Sequence, residues 1–126
     1  MSENKIERYL IDLMLSYTEI DKDMWLINDE TKGLEGVVVM YAAPIVVIRV
    51  VVMPAPQDKR LEFFTKILEL NAAEVLHGAY ALDKNEIILV DTLEYDSMDF
   101  GDLRASLESI GLALTQHYPL LSQYRN

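Results

Sequence analysis

Two histidines, His77 and His117, and seven carboxylates between Asp83 and Asp102 are the residues of this 126-residue chain whose types could do chemistry. A histidine metal site needs further His or acidic ligands at defined spacings. Glu74 stands three residues before His77, yet neither HExxH nor a comparable pattern occurs. Both histidines therefore read as ordinary polar residues at a strand or helix end. A calcium loop needs alternating Asp or Asn ligands, a central Gly and a closing Glu. The stretch "DSMDFGDL" lacks that alternation and reads as a helix start with a solvated face. No spacing singles out a carboxylate pair of the glycosidase kind. There is no G-x-S-x-G elbow and no Gly-rich phosphate loop, since the five glycines are scattered. The absence of cysteine excludes disulfides and thiolate metal sites. The expectation is a chain with no catalytic residue, no cofactor and no metal, and so not an enzyme.

The most informative single residue is Arg49. It is the one charge within the run "GVVVMYAAPIVVIRVVVM", Gly36 to Met53. A membrane-spanning helix needs about 20 apolar residues and tolerates a central Arg poorly. Ten of these eighteen residues are Val or Ile, which suit a pleated strand. Pro44 lacks an N–H and disfavours helix at Ala43. The run is therefore expected to be a β-hairpin, with strands Val37–Tyr41 and Ile45–Met53. In the second strand Val46, Ile48, Val50 and Val52 make one apolar face, and Ile45, Val47, Arg49, Val51 and Met53 make the other. A sheet with one wet side alternates apolar and polar residues. This one does not, so both faces call for cover, by helices or by a second protein. An unpaired buried guanidinium is costly, so Arg49 must reach water, an acid of this chain or a partner.

The elements around this hairpin follow from periodicity and punctuation. Ile6, Leu10, Leu13, Tyr17 and Ile20 recur at helical spacing and predict a helix from Ser2 to about Tyr17, with Tyr9, Ile11 and Leu15 widening its apolar stripe. "MWLIND" reads as a strand. Prolines then stop the hairpin, and a helix follows with Asp58 in its first turn, a stripe of Leu61, Phe64, Ile67 and Leu68, and a Glu62–Lys66 pair. "HGAYAL" and "NEIILVDTLEY" form a second hairpin around Asp83-Lys84-Asn85. A last helix begins near Asp99 as N-cap, with Leu103, Leu107, Ile110, Leu114 and Tyr118 facing inward. Gly111 costs that helix about 1 kcal/mol relative to Ala, which points to close packing there. Pro119 is expected to end or kink it near His117. The order is α-β-β-β-α-β-β-α. It predicts a single α+β domain over residues 1–126, with a five-stranded antiparallel sheet and three helices.

Net charge sets the partners that are excluded. With 21 acidic residues against 11 basic ones the chain carries −10 at pH 7, and it has no basic stripe. Nucleic acid and anionic membrane surfaces are thus disfavoured. The N-terminal run has mixed charges, Asp12 inside it and no small-residue cleavage site, so it does not read as a secretory signal. A cytoplasmic location is expected.

The stretch "ILELNAAEVLHGAYALDKNEIILVDTLEY" followed by "MDFGDLRASLESIGLALTQHYPLL" resembles the bacterial YbjN family. The element order as a whole resembles the type III secretion chaperone-like fold that this family carries. The resemblance covers about Leu61 to Leu121; before that, only the order of elements matches. It implies a small acidic protein that binds extended client segments as a homodimer, or a regulatory factor of the sensory-transduction kind. It does not imply a secretion client.

The leading expectation is thus a non-enzymatic, chaperone-like or regulatory protein-binding module that acts as a homodimer. Three helices naturally lie on one side of a sheet, which leaves the other apolar face to a second chain. Ile45, Val47, Arg49, Val51 and Met53 are the expected partner interface. The competing expectation is a small-ligand-binding or enzymatic protein with a pocket between sheet and helices. An enclosed cavity with converging polar groups favours the second reading, and an open apolar surface favours the first.

Overall fold

The computed structural model describes residues 4–125. Its elements are α1 (Lys5–Asp12), β1 (Tyr17–Asp21), β2 (Met24–Asp29), β3 (Leu34–Ala42), β4 (Ile45–Pro54), α2 (Arg60–Ala73), β5 (Ala79–Asp83), β6 (Glu86–Glu94) and α3 (Phe100–Ser122). The strands form one antiparallel sheet in the order β1-β2-β3-β4-β6-β5. The fold is α+β with three helices, but the sheet has six strands rather than five.

The additional strand is β1, whose Tyr17 and Ile20 the helical spacing counts with the first helix. Asn4 caps that helix by accepting the Ile6 N–H at 2.7 Å. It ends at Asp12, and Met14 follows in the left-handed region at φ 58°. Leu13, Tyr17 and Ile20 keep helical spacing only by coincidence. Tyr17–Asp21 instead pairs with β2 across a turn at Asp21-Lys22-Asp23, where Asp23 takes φ 58°. The expected helix start at Ser2 lies outside the described residues.

All three helices pack on the same face of the sheet. Their buried side chains, Ile6 and Leu10 from α1, Phe63, Ile67 and Leu70 from α2, and Leu103, Leu107 and Ile110 from α3, share one core with Val37, Val39, Val46, Ile48, Val50 and Leu89. Within α2 the inward stripe is Phe63, Ile67 and Leu70, with Phe64 partly buried. Leu61 and Leu68, expected inside, are 83% and 66% exposed. This helix is apolar on more than one side, so periodicity alone could not fix its rotation. Its start also differs. Lys59 sits at the N-cap in the left-handed region, which leaves Asp58 ahead of the helix. Glu62 accepts a hydrogen bond from Tyr124 at 2.6 Å, and Lys66 pairs with Glu69 at 3.8 Å instead of with Glu62.

Helix α3 begins as expected. Asp99 accepts from the Asp102 N–H at 2.8 Å, and Asp102 returns the bond to the Asp99 N–H at 3.0 Å. Gly111 lets the helix close on the chain ahead of β3, because a Cβ there would lie 2.6 Å from the Lys32 carbonyl oxygen. The helix does not stop near His117 but continues through Pro119 to Ser122. Pro119 has no N–H for the Thr115 carbonyl, yet both residues are exposed, so water can serve that oxygen. Tyr118, expected inside, is 59% exposed, and His117 takes the inner position. One contact caps part of a sheet edge, at Tyr80 in β5. The Asn71 side chain donates to the Tyr80 carbonyl at 3.1 Å and accepts from its N–H at 2.7 Å.

Candidate functional site

With the helices on one side, the opposite face of the sheet has no cover from the described residues. The register puts Val38 beside Arg49, Met40 beside Val47, Arg49 beside Val90 and Val51 beside Ile88. Met24 and Leu26 continue this face onto β2 through their pairing with Met40 and Val38. None of these residues belongs to the core cluster. The result is an apolar surface of Val, Met, Leu and Ile that runs from β2 to β6.

Four of the five residues expected at a partner interface lie on this surface. Ile45, Val47 and Arg49 are half-buried, and Val51 is 46% exposed. The fifth does not. A bulge between Val51 and Met53 shifts the register, so Met53 pairs with Ile87 on the core side and is only 2% exposed. Val52, placed by parity with Val46, is the residue that the bulge sets aside. An inserted residue reverses every later side chain in a strand. Nothing in an all-aliphatic run marks where that happens.

Arg49 reaches an acid of its own chain. Its guanidinium lies 2.8 Å from an Asp83 carboxylate oxygen, and the two side chains are 40% and 39% exposed. The ladder sets Ile88 and Ala81 between the two residues, so the pair crosses the apolar face diagonally. Ile88 is only 6% exposed although no helix lies over it.

The histidines part company. His77 is exposed, and its backbone N–H donates to Ser109 Oγ at 3.0 Å. His117 is buried at 3% exposure, with Nδ1 2.7 Å from the Tyr80 hydroxyl oxygen and Nε2 without a partner among the described residues. Burial, with a smaller contribution from Glu74, holds the Tyr80 hydroxyl protonated well above the usual tyrosine range. Sequence reading missed this pair, since an inner-face histidine in α3 shows only once the helix is seen to pass Pro119. Two half-open clefts, of about 380 and 530 Å³, flank the chain around Gly33, and neither is lined by Tyr80 or His117. Among the described residues no group of three His, Asp or Glu could hold a metal ion, and no helix is long and apolar enough to cross a membrane.

A second apolar strip, of Leu61 and Leu68, lies on the outside of α2, and Leu76, beyond the helix end, is 78% exposed. Its period of seven residues, from 61 to 68, keeps the two leucines on one side of the helix.

Comparison with known proteins places this architecture. E. coli YbjN, a candidate transcription regulator, superposes with a TM-score of 0.71 at 13% identity, covering 96% of this chain and 94% of that one. A chain of the ExoU–SpcU heterodimer from the type III secretion system of Pseudomonas aeruginosa gives 0.73 at 14% identity, covering 91% and 96%. A chain of the HopA1–SchA chaperone–effector complex gives 0.62 at 8% identity, covering 86% of each chain. No curated protein matches by sequence. These likenesses show a shared YbjN-like, secretion chaperone-like fold. The CesT_Tir_1 family model extends over residues 1–126, and the chain is a member of that family.

Proposed function

We propose that this protein is a non-enzymatic, cytoplasmic protein-binding module, chaperone-like or regulatory, that works as a homodimer. The observation that carries this reading is the apolar outer face of the sheet, which three helices on one side leave bare. Large exposed apolar surfaces are unusual on monomers and mark association sites. The HopA1–SchA complex, a chaperone bound to an effector, lends support from a protein of the same fold.

Two surfaces then need two occupants. The strip on α2 suits a second copy. Leu61 and Leu68 stand one above the other on one side of the helix, so a two-fold axis beside them lets two copies bury these leucines against each other. The outer sheet face, with Ile45, Val47, Arg49 and Val51, is then the surface for a partner protein. Sequence alone had pointed to a second copy on the sheet. The α2 leucines are the more exposed group, which supports placing the second copy there.

Sedimentation or light scattering at micromolar concentration tests the dimer. The expected result is a dimer mass for the native chain and for Val47→Asp, and a monomer mass for Leu68→Glu. A native monomer, or a dimer undisturbed by Leu68→Glu and dissolved by Val47→Asp, overturns the arrangement.

A further inference from the structure

The outer sheet face has a charge pattern that its apolar centre does not require. Among the described residues Arg49 is the only basic residue in the six strands, and Asp83 already pairs with it. The periphery of the same face carries Asp21 beside Met24, Glu35 beside Asn28, Glu94 beside Ile45, and Glu86 at the start of β6. All four carboxylates are exposed. The aliphatic centre is thus bordered by four exposed carboxylates, with only the turn lysines Lys22 and Lys84 beside Asp21 and Glu86, on a chain that already carries −10.

This pattern bears on the occupant. A second copy would bring the same carboxylates against this rim, and like charges across an interface oppose association. An extended strand laid flat on the face would bury its own amides without partners, because the sheet's backbone groups are used in its ladders. A helix satisfies its own backbone. An apolar stripe on such a helix can meet Val38, Met40, Val47 and Val51, while lysines or arginines beside the stripe meet the rim. An 18-residue helix is about 27 Å long, and the ten residues of β4 extend for about 33 Å.

We propose that the outer face of the sheet docks an amphipathic helix of a partner protein, one whose apolar stripe is flanked by basic side chains. This rests on the reading of that face as the partner surface. It adds the conformation and the charge of what binds there.

The test uses three 18-residue helical peptides with the same leucine stripe and Lys, Gln or Glu at all other positions. Each is titrated by fluorescence anisotropy against the full chain and three variants. Val47→Asp and the more exposed Val51→Asp probe the apolar centre, and the double variant Glu86→Lys/Glu94→Lys probes the rim. Circular dichroism checks that each variant folds. The Leu–Lys peptide is expected to bind at least about tenfold tighter than Leu–Gln, since several exposed ion pairs add their small contributions, and Leu–Glu weakest. Raising salt should narrow that order. Val47→Asp or Val51→Asp should weaken Leu–Lys at least tenfold although each adds negative charge, which separates docking on the face from general attraction to an acidic protein. The rim variant should weaken Leu–Lys and strengthen Leu–Glu. Equal binding of Leu–Gln and Leu–Lys, both lost in Val51→Asp, overturns the charge selection and leaves the partner surface standing. Binding of Leu–Lys unaffected by both aspartate variants, or no binding of any peptide, overturns the helix dock. The first of these outcomes sends the peptide elsewhere, and the second also removes the support for the face as a partner surface.

Discussion

Strand β4 presents almost the same residue types to its two sides, and their fates differ. Val46, Ile48 and Val50 point at the helices and are 0%, 0% and 4% exposed. Ile45, Val47 and Val51 point away, and among the described residues nothing lies over them. The distinguishing residue is Arg49, which ties itself to Asp83 across the open side. An apolar face therefore states only that cover is required. Whether the cover comes from the same chain is decided by where the helices land.

The largest expected effect contrasts the two sides directly. Ile48→Ala removes methyl groups from a closed core and should cost about 3 kcal/mol in urea denaturation, within the usual range for such truncations. Val47→Ala, one residue away on the open side, should cost under about 1 kcal/mol in the isolated protein. Equal losses would mean that the open side is packed in solution, and the contrast would collapse.

A smaller effect concerns the polar pair on the covered side. Burial raises the Tyr80 hydroxyl above the ordinary value of 10.0. The folded chain therefore holds this proton after the unfolded chain has begun to release it. Its contribution is fully present below pH 10 and is lost progressively as pH rises from there through the folded-state value. Urea midpoints compared at pH 8, 10 and 11 should fall at the alkaline end, and Tyr80→Phe should remove part of that slope. A slope identical in Tyr80→Phe would show that the hydroxyl is not shielded.

The smallest effect belongs to the ion pair. Both side chains are more than a third exposed, and Arg49→Met should change stability by no more than about 1 kcal/mol in either direction. The same substitution should change binding at the outer face, because it replaces that face's only strand cation with another apolar side chain. A stability loss of several kcal/mol would place the pair in a drier setting than its exposure indicates.

Much of this layout was legible in the residues. Ala43-Pro44 and Lys84-Asn85 mark the two hairpins because turn chemistry is local, and Asp99 marks a helix start for the same reason. Gly111 signalled a close approach, and the Lys32 carbonyl is the group that approaches. The misreadings share a different cause. Leu61 and Leu68 look like core on α2 because that helix has apolar residues on two sides, and only the sheet beneath selects Phe63 and Ile67. The bulge at Val52 and the strand at Tyr17–Asp21 arise from pairing with β6 and β2, partners distant in sequence or hidden by a coincidental period. Of the proposed site, the strand and its arginine were visible, whereas Asp83 as the partner of Arg49 was not, because 34 residues separate them.

The amide of Asn71 bears on how copies of this chain could aggregate. A sheet grows into a fibre only when both of its outer strands accept newcomers, so that each added molecule offers a fresh end. Here Tyr80, the second of the five residues of β5, has its N–H and C=O occupied by a side chain of its own molecule. The Asn71 cap on Tyr80 thus disfavours growth of a fibre by strand addition at β5.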